Sequence, residues 1–212
     1  MNNKYNTKPE YWEKAKKYLI KHDYILRKVI QSVDNKHYLT RNSTPFQTLA
    51  NAIIGQQISV AAASSVLKKL KLNINGFTPK KVHLAGDTTL KNSGLSRQKV
   101  GYLKNLANAF IEKKIKIKTW EKMTDEEIIQ DLIQIKGIGR WTAEMFLIFN
   151  LCRADIFPLD DIGMIKGLCK LYDIPYPTER ETIINIGKKW KPYRSVATWY
   201  LWRSLDPIPV EY

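Results

Sequence analysis

Apolar residues recur along this chain at intervals of three and four almost throughout, the period of helices with one buried stripe. Tyr11, Ala15, Tyr18 and Leu19 make the first stripe, behind Pro9, a residue suited to a first helical turn. Ile25, Val29 and Ile30 make the next. Thr44 ahead of Pro45 predicts a cap and a first-turn proline for the run Phe46, Leu49, Ile53. The following helix is expected to turn Ile58, Ala61, Ala62, Val66 and Leu70 inward and to end before residues 73–76. Thr78-Pro79, Gly86-Asp87 and Ser93-Gly94 punctuate two short helices, and Ser96 opens a long one through Tyr102, Leu106 and Phe110. Thr124 with Glu127 forms a capping box for Ile128 to Ile135. Further helices are expected from about Thr142, Asp161, Thr178 and Pro192. Ile115–Ile117 alternates as a strand would, but the lysines around it favour a loop. The pattern predicts an all-α fold of short helices and tight connections, without repeats or long linkers.

A chain of 212 residues can bury a core without metals or disulfides. Charge adds a partner. Thirty-five Lys and Arg against twenty Asp and Glu leave +15, an excess that favours a polyanion such as nucleic acid or an acidic membrane surface. Cys152 and Cys169 are too few for a disulfide framework, an iron–sulfur cluster or a thiolate zinc site. His22, His37 and His83 are scattered without metal-ligand spacing, so no side-chain metal site is expected. No apolar run approaches the roughly eighteen residues that a membrane-spanning helix needs, and the polar start of the chain does not read as a secretory signal.

Two segments carry candidate chemistry. In the first, Gly137-Ile138-Gly139 joins two helical patterns. Glycines there permit positive φ and close approach of a partner to the backbone, while Ile138 tucks inward between the helices. The N–H groups of the next helix's first turn then form a site for a phosphate. An ordinary glycine-closed corner would look the same from these residues alone. In the second, Asp160 and Asp161 follow Pro158 at the start of an apolar helix. Read locally, Asp160 is the N-cap and Asp161 complements the helix dipole.

The segment from Asp131 to Met145 resembles a helix-hairpin-helix motif, and several further stretches resemble the helix-hairpin-helix DNA glycosylase superfamily in the same order. They are Pro45 to Ser59, Gly94 to Leu103, Pro158 to Lys166 and Trp190 to Ala197. Within the superfamily the chain is most similar to the 3-methyladenine DNA glycosylase II family, over about residues 45 to 205.

The resemblance implies a two-lobed fold with an active-site cleft between the lobes. Residues 45–153 would form the lobe bearing the hairpin. Residues 8–44 plus 154–212 would form the other, and too little chain precedes Pro45 for the N-terminal β domain of the larger bacterial relative. It implies that Asp161 is the catalytic carboxylate, that Trp141 and Trp202 line the base pocket with Met145 one turn beyond Trp141, and that Gln57, or Gln56, is the wedge filling the gap left by a flipped base. Lys136, Gly137, Gly139, Arg140, Thr142 and Lys166 are the expected contacts to the DNA backbone. Carbonyls of Gln134, Gly137 and Gly139 would hold a sodium or potassium ion, the only cofactor expected.

Strand-cutting members of the superfamily carry a lysine nucleophile where this chain has Trp141. An indole forms no Schiff base, so the expectation is a monofunctional glycosylase that uses water and has no lyase activity. The resemblance implies alkylated purines as substrates, and an electron-rich ring facing such a cationic base gains about 0.5–2 kcal/mol. The expected partner is damaged double-stranded DNA, bound by a monomer, in the cytoplasm of a bacterium or the nucleus of a eukaryote. Two other readings stay open: a glycosylase for an oxidised or deaminated base, and a non-catalytic helix-hairpin-helix protein that only binds DNA.

Overall fold

The computed structural model describes residues 7–206, and every regular element among them is helical. The order is α1 (Trp12–His22), α2 (Tyr24–Ser32), α3 (Pro45–Gly55), α4 (Val60–Asn73), α5 (Pro79–Leu84), α6 (Asp87–Asn92), α7 (Arg97–Ile111), α8 (Asp125–Ile133), α9 (Arg140–Phe149), α10 (Ile162–Tyr172), α11 (Arg180–Gly187) and α12 (Arg194–Leu205). Short 3₁₀ turns lie at Trp120–Lys122 and Lys188–Trp190.

Many helix starts were legible in the caps. Thr44 and Thr124 close complete capping boxes with Gln47 and Glu127, and Thr78 and Ser96 each accept one backbone N–H. Each satisfies donors that a helix's first turn leaves unpaired. Other starts fall a residue or two from expectation, at Arg140, Ile162, Arg180 and Arg194. Residues 115–117 form no strand.

The chain divides into two compact units. Among the described residues the first takes 7–41 and 147–206, and the second takes 42–146. In the first, α12 packs on α10, α2 and α1. Trp12 is 1% exposed, with Trp199 edge-on at 5.3 Å and Tyr200 stacked at 5.9 Å. The stripe Ala15 and Leu19 joins it in the core, as do Tyr193 and Trp199. Gly167 lets α10 lie directly on α12, since a Cβ there would meet the Leu201 carbonyl oxygen at 2.6 Å.

In the second unit α7 packs against α3, α5 and α6, burying Leu49, Ile53, Val82, Leu103 and Leu106. Phe46 meets Phe77 and Phe110 at 5.6 and 5.4 Å. The buried Trp120 packs edge-on against Phe146 and donates its indole N–H to Asp131 at 3.1 Å. The expectation for α4 needs correction. Leu70 is buried and Val66 half-buried, but Ile58, Ala61 and Ala62 are exposed. Ile58 precedes the N-cap Ser59 and so lies outside the helical register. The alanine-rich first turns have no large side chains to mark an inner face.

Candidate active site and nucleic-acid interface

In the first unit the chemistry centres on the start of α10. The Asp161 backbone N–H donates to the Pro158 carbonyl at 2.9 Å, and Asp161 takes the extended conformation of an N-cap. Its Oδ1 accepts the Met164 backbone N–H at 2.5 Å, which makes Asp161 itself the cap. Asp160, expected in that place, is exposed and pairs with Arg180 at 2.5 Å. The proline turn ends one residue later than the local reading assumed.

Asp161 is buried, 8% exposed. Trp202 Nε1 donates to the same Oδ1 at 2.8 Å, while the indole ring stacks on Phe149 at 5.5 Å with 14° between planes. Gly163 makes room for this arrangement, its Cβ position lying 3.3 Å from the Trp202 ring. A carboxylate so held has one oxygen fixed by two donors and its plane set by the indole. Such a group can stabilise positive charge developing beside it. Trp202, expected as a pocket wall, is therefore also the partner that orients Asp161. Lys166 is exposed on α10, its ammonium 5.4 Å from the centroid of the Tyr176 ring.

In the second unit the hairpin forms between α8 and α9. The Ile138 N–H donates to the Ile135 carbonyl at 2.9 Å, and Ile138 is buried as expected. The two glycines are not equivalent. Gly137 has φ +106°, and a Cβ on it would meet the Tyr102 ring at 2.3 Å. Gly139 has no such φ and open space around it, so only Gly137 needs glycine for its backbone.

Lys136 is exposed beside the turn. Arg140, at the start of α9, makes a two-pronged bond to Glu126 at 3.0 and 2.8 Å and lies 3.3 Å from Glu144. The Arg140 guanidinium, followed by Gln130, holds the Glu126 carboxyl down at about 2. Thr142 is buried and its hydroxyl accepts from Gln56. Trp141 is half-buried and Met145 is 1% exposed.

The loop after α3 separates the two glutamines. Gln56 turns its amide to the hairpin, donating to the Gly137 carbonyl at 3.3 Å and to Thr142 Oγ1 at 3.1 Å. Gln57 is exposed in the left-handed region, with φ 59°. Lys99, which sequence reasoning did not single out, donates to the carbonyls of Ile54 and Gln56, each at 2.7 Å. Burial lowers its pKa from the ordinary lysine value. Its position inside the stretch Gly94 to Leu103 was the available signal. The structure thus brings Asp161 and Trp202 together in one unit, and Gln56, Gly137 and Thr142 together in the other.

Residues 50–192 match the model of the HhH-GPD superfamily base excision DNA repair proteins. A DNA-3-methyladenine glycosylase 1 from Schizosaccharomyces pombe is 35% identical over 164 residues, covering 76% of this chain and 72% of its own length. The solved structure of a 3-methyladenine DNA glycosylase from the same yeast, in complex with abasic DNA, superposes with TM-score 0.80 at 31% identity. It covers 90% of this chain and 95% of that one. A DNA-3-methyladenine glycosidase structure from Bacillus halodurans gives TM-score 0.75 at 30% identity, over 91% and 89%.

Proposed function

Because the chain belongs to the helix-hairpin-helix (HhH-GPD) superfamily of base excision DNA repair proteins, we propose that it hydrolyses the N-glycosidic bond of alkylated purines in DNA and leaves the strand uncut. The observation that carries the proposal is the buried Asp161 carboxylate, oriented by the Met164 N–H and the Trp202 indole.

A base stacked inside a duplex is unreachable, so the nucleotide must first be flipped out, at a cost of a few kcal/mol. Gln57, exposed on its left-handed turn, is the side chain suited to the gap. Breaking the glycosidic bond then builds positive charge on the sugar. Asp161 stabilises that charge and orients or deprotonates the attacking water. A base made cationic by alkylation leaves without strong acid assistance. Such a base gains from electron-rich ring faces, the role the resemblance gives Trp141 and Trp202.

The hairpin grips the backbone through the N–H groups of the first turn of α9. Lys136 and Lys166 add exposed positive charge, while Arg140 would have to share its guanidinium between Glu126 and a phosphate. The carbonyls of Gln134, Gly137 and Gly139 would hold a monovalent cation. The donor set fits, since neutral carbonyl oxygens suit a hard cation and the Gly137 oxygen, with Gln56 on one side, has two lone pairs. The cation would supply positive charge for a phosphate. With Trp141 where strand-cutting relatives carry lysine, no amine is supplied there for a Schiff base.

Base release from methylated duplex DNA tests the proposal. Wild type is expected to free methylpurines, Asp161→Asn is expected to free almost none, and borohydride is expected to trap no covalent adduct. A wild type that frees nothing refutes the substrate, and a trapped adduct refutes strand-sparing hydrolysis.

A further inference from the structure

One face of α7 touches both loops assigned above to DNA. Lys99, Tyr102 and Asn105 follow one another at three-residue spacing, so their side chains project from neighbouring positions of the helix. Lys99 Nζ holds the carbonyls of Ile54 and Gln56 at 2.7 Å each, at the end of α3 and immediately before Gln57. The Tyr102 ring fills the space beside Gly137, where a Cβ would come within 2.3 Å of it. Asn105 Nδ2 donates to the Lys136 carbonyl at 3.4 Å. Between the two loops, Gln56 Nε2 closes the circuit on Gly137 and Thr142.

We propose that α7 is a bracket holding the wedge loop and the hairpin in one register, with Lys99 as a positioning residue for base flipping. The inference rests on the glycosylase reading for what the loops do, but the bracket itself is a property of the free protein. The physical argument is one of rigidity. A phosphate grip on the hairpin can drive a wedge into the duplex only if force passes from one loop to the other without being absorbed by backbone motion.

The Gln56–Gln57 junction is vulnerable to such motion, because a non-glycine residue at φ 59° sits in a sparsely populated region. The carbonyl on its N-terminal side is the one Lys99 holds. A charged donor shared by two helix-end carbonyls is a strong restraint. It does not touch the reacting atoms, and it leaves the hairpin N–H groups unaltered.

The test uses the full chain and three variants. Lys99→Met keeps the stem and removes the ammonium, Lys99→Arg restores a cation, and Gln56→Ala cuts the tie to the hairpin while leaving Lys99 in place. Amide hydrogen exchange in the free protein should show residues 55–58 exchanging faster in Lys99→Met, with the core of α7 unchanged. Binding to undamaged duplex should stay close to wild type. Flipping, followed by 2-aminopurine fluorescence beside a lesion, and single-turnover excision should both fall roughly tenfold, as expected for loss of a charge-assisted hydrogen bond. Lys99→Arg should recover part of the loss, and Gln56→Ala should lose flipping in the same way. Unchanged exchange in residues 55–58 overturns the bracket, as does equal loss of duplex binding and flipping. A wild type that flips no base overturns the glycosylase reading instead, and the exchange comparison still decides the bracket.

Discussion

The starts of α2 and α10 are built alike and arranged for different ends. Each helix is capped by a buried aspartate, Asp23 and Asp161, and each carboxylate accepts an indole N–H, from Trp190 at 2.7 Å and Trp202 at 2.8 Å. At α2 the donors spread over both oxygens. Oδ1 caps Ile25 and Leu26, while Oδ2 takes the Tyr172 hydroxyl, Trp190 and the Lys189 ammonium at 3.0 Å. Burial alone would raise the Asp23 pKa. The bonds from Tyr172, Trp190, Leu26 and Lys189 outweigh it and hold the group below the ordinary value. At α10 the cap bond and the indole bond fall on the same oxygen, Oδ1. The teaching is that one motif, a capping aspartate with an indole, serves to lock helices where a lysine and a phenol complete it. Where the cap bond and the indole bond meet on one oxygen, it serves to aim a carboxylate.

Exchanging the two aspartates in separate variants should break the likeness most sharply. Asparagine caps as well as aspartate, so Asp161→Asn should leave the melting temperature near wild type while excision falls about 10²- to 10⁴-fold. Asp23→Ala should do the reverse. Losing the cap and stranding buried donors costs roughly 3 kcal/mol or more, a fall in melting temperature of about 6 °C or more, with excision per folded molecule unchanged. Parallel thermal melts and single-turnover assays decide it, and an Asp23 variant that loses catalysis without losing stability would erase the distinction.

The indoles give a finer cut. Trp202→Phe keeps a ring for Phe149 but removes the bond to Asp161, and should slow excision about tenfold. Trp190→Phe should instead cost about 1–3 kcal/mol of stability. The smallest effect is in pH. A carboxylate whose folded pKa is lowered adds stability that is complete above its unfolded value, here 3.8, and is lost as pH falls through the lowered one. The melting difference between wild type and Asp23→Asn should therefore hold steady near neutrality and shrink in acid below that value. A difference that grows on acidification would mean that folding raises the Asp23 pKa instead of lowering it.

Particular residues show how far the sequence reached. Capping is local chemistry, so Thr44, Thr78, Ser96 and Thr124 announced their helices within a few residues. Ile138 could be placed inward because glycines flank it on both sides. The face of α4 could not be read, because alanine and valine at its start are compatible with either side. Nor could the cap of α10 be assigned between two adjacent aspartates, since the choice depends on where the turn from Pro158 closes. Lys99 was indistinguishable from a solvated lysine until the end of α3 came within its reach.

By itself the sequence determined what is set by neighbours along the chain: the all-helical class, several helix starts, the hairpin and the residue types available for chemistry. Only the tertiary structure decided which partners meet across long separations. Trp202 reaches Asp161 from 41 residues away, Gln56 reaches Thr142 from 86, and Lys99 reaches Ile54 from 45. The physical reason is that periodicity and capping are written in backbone geometry over one or two turns. The partners of a buried polar group are chosen by how whole helices pack, and most such groups find one.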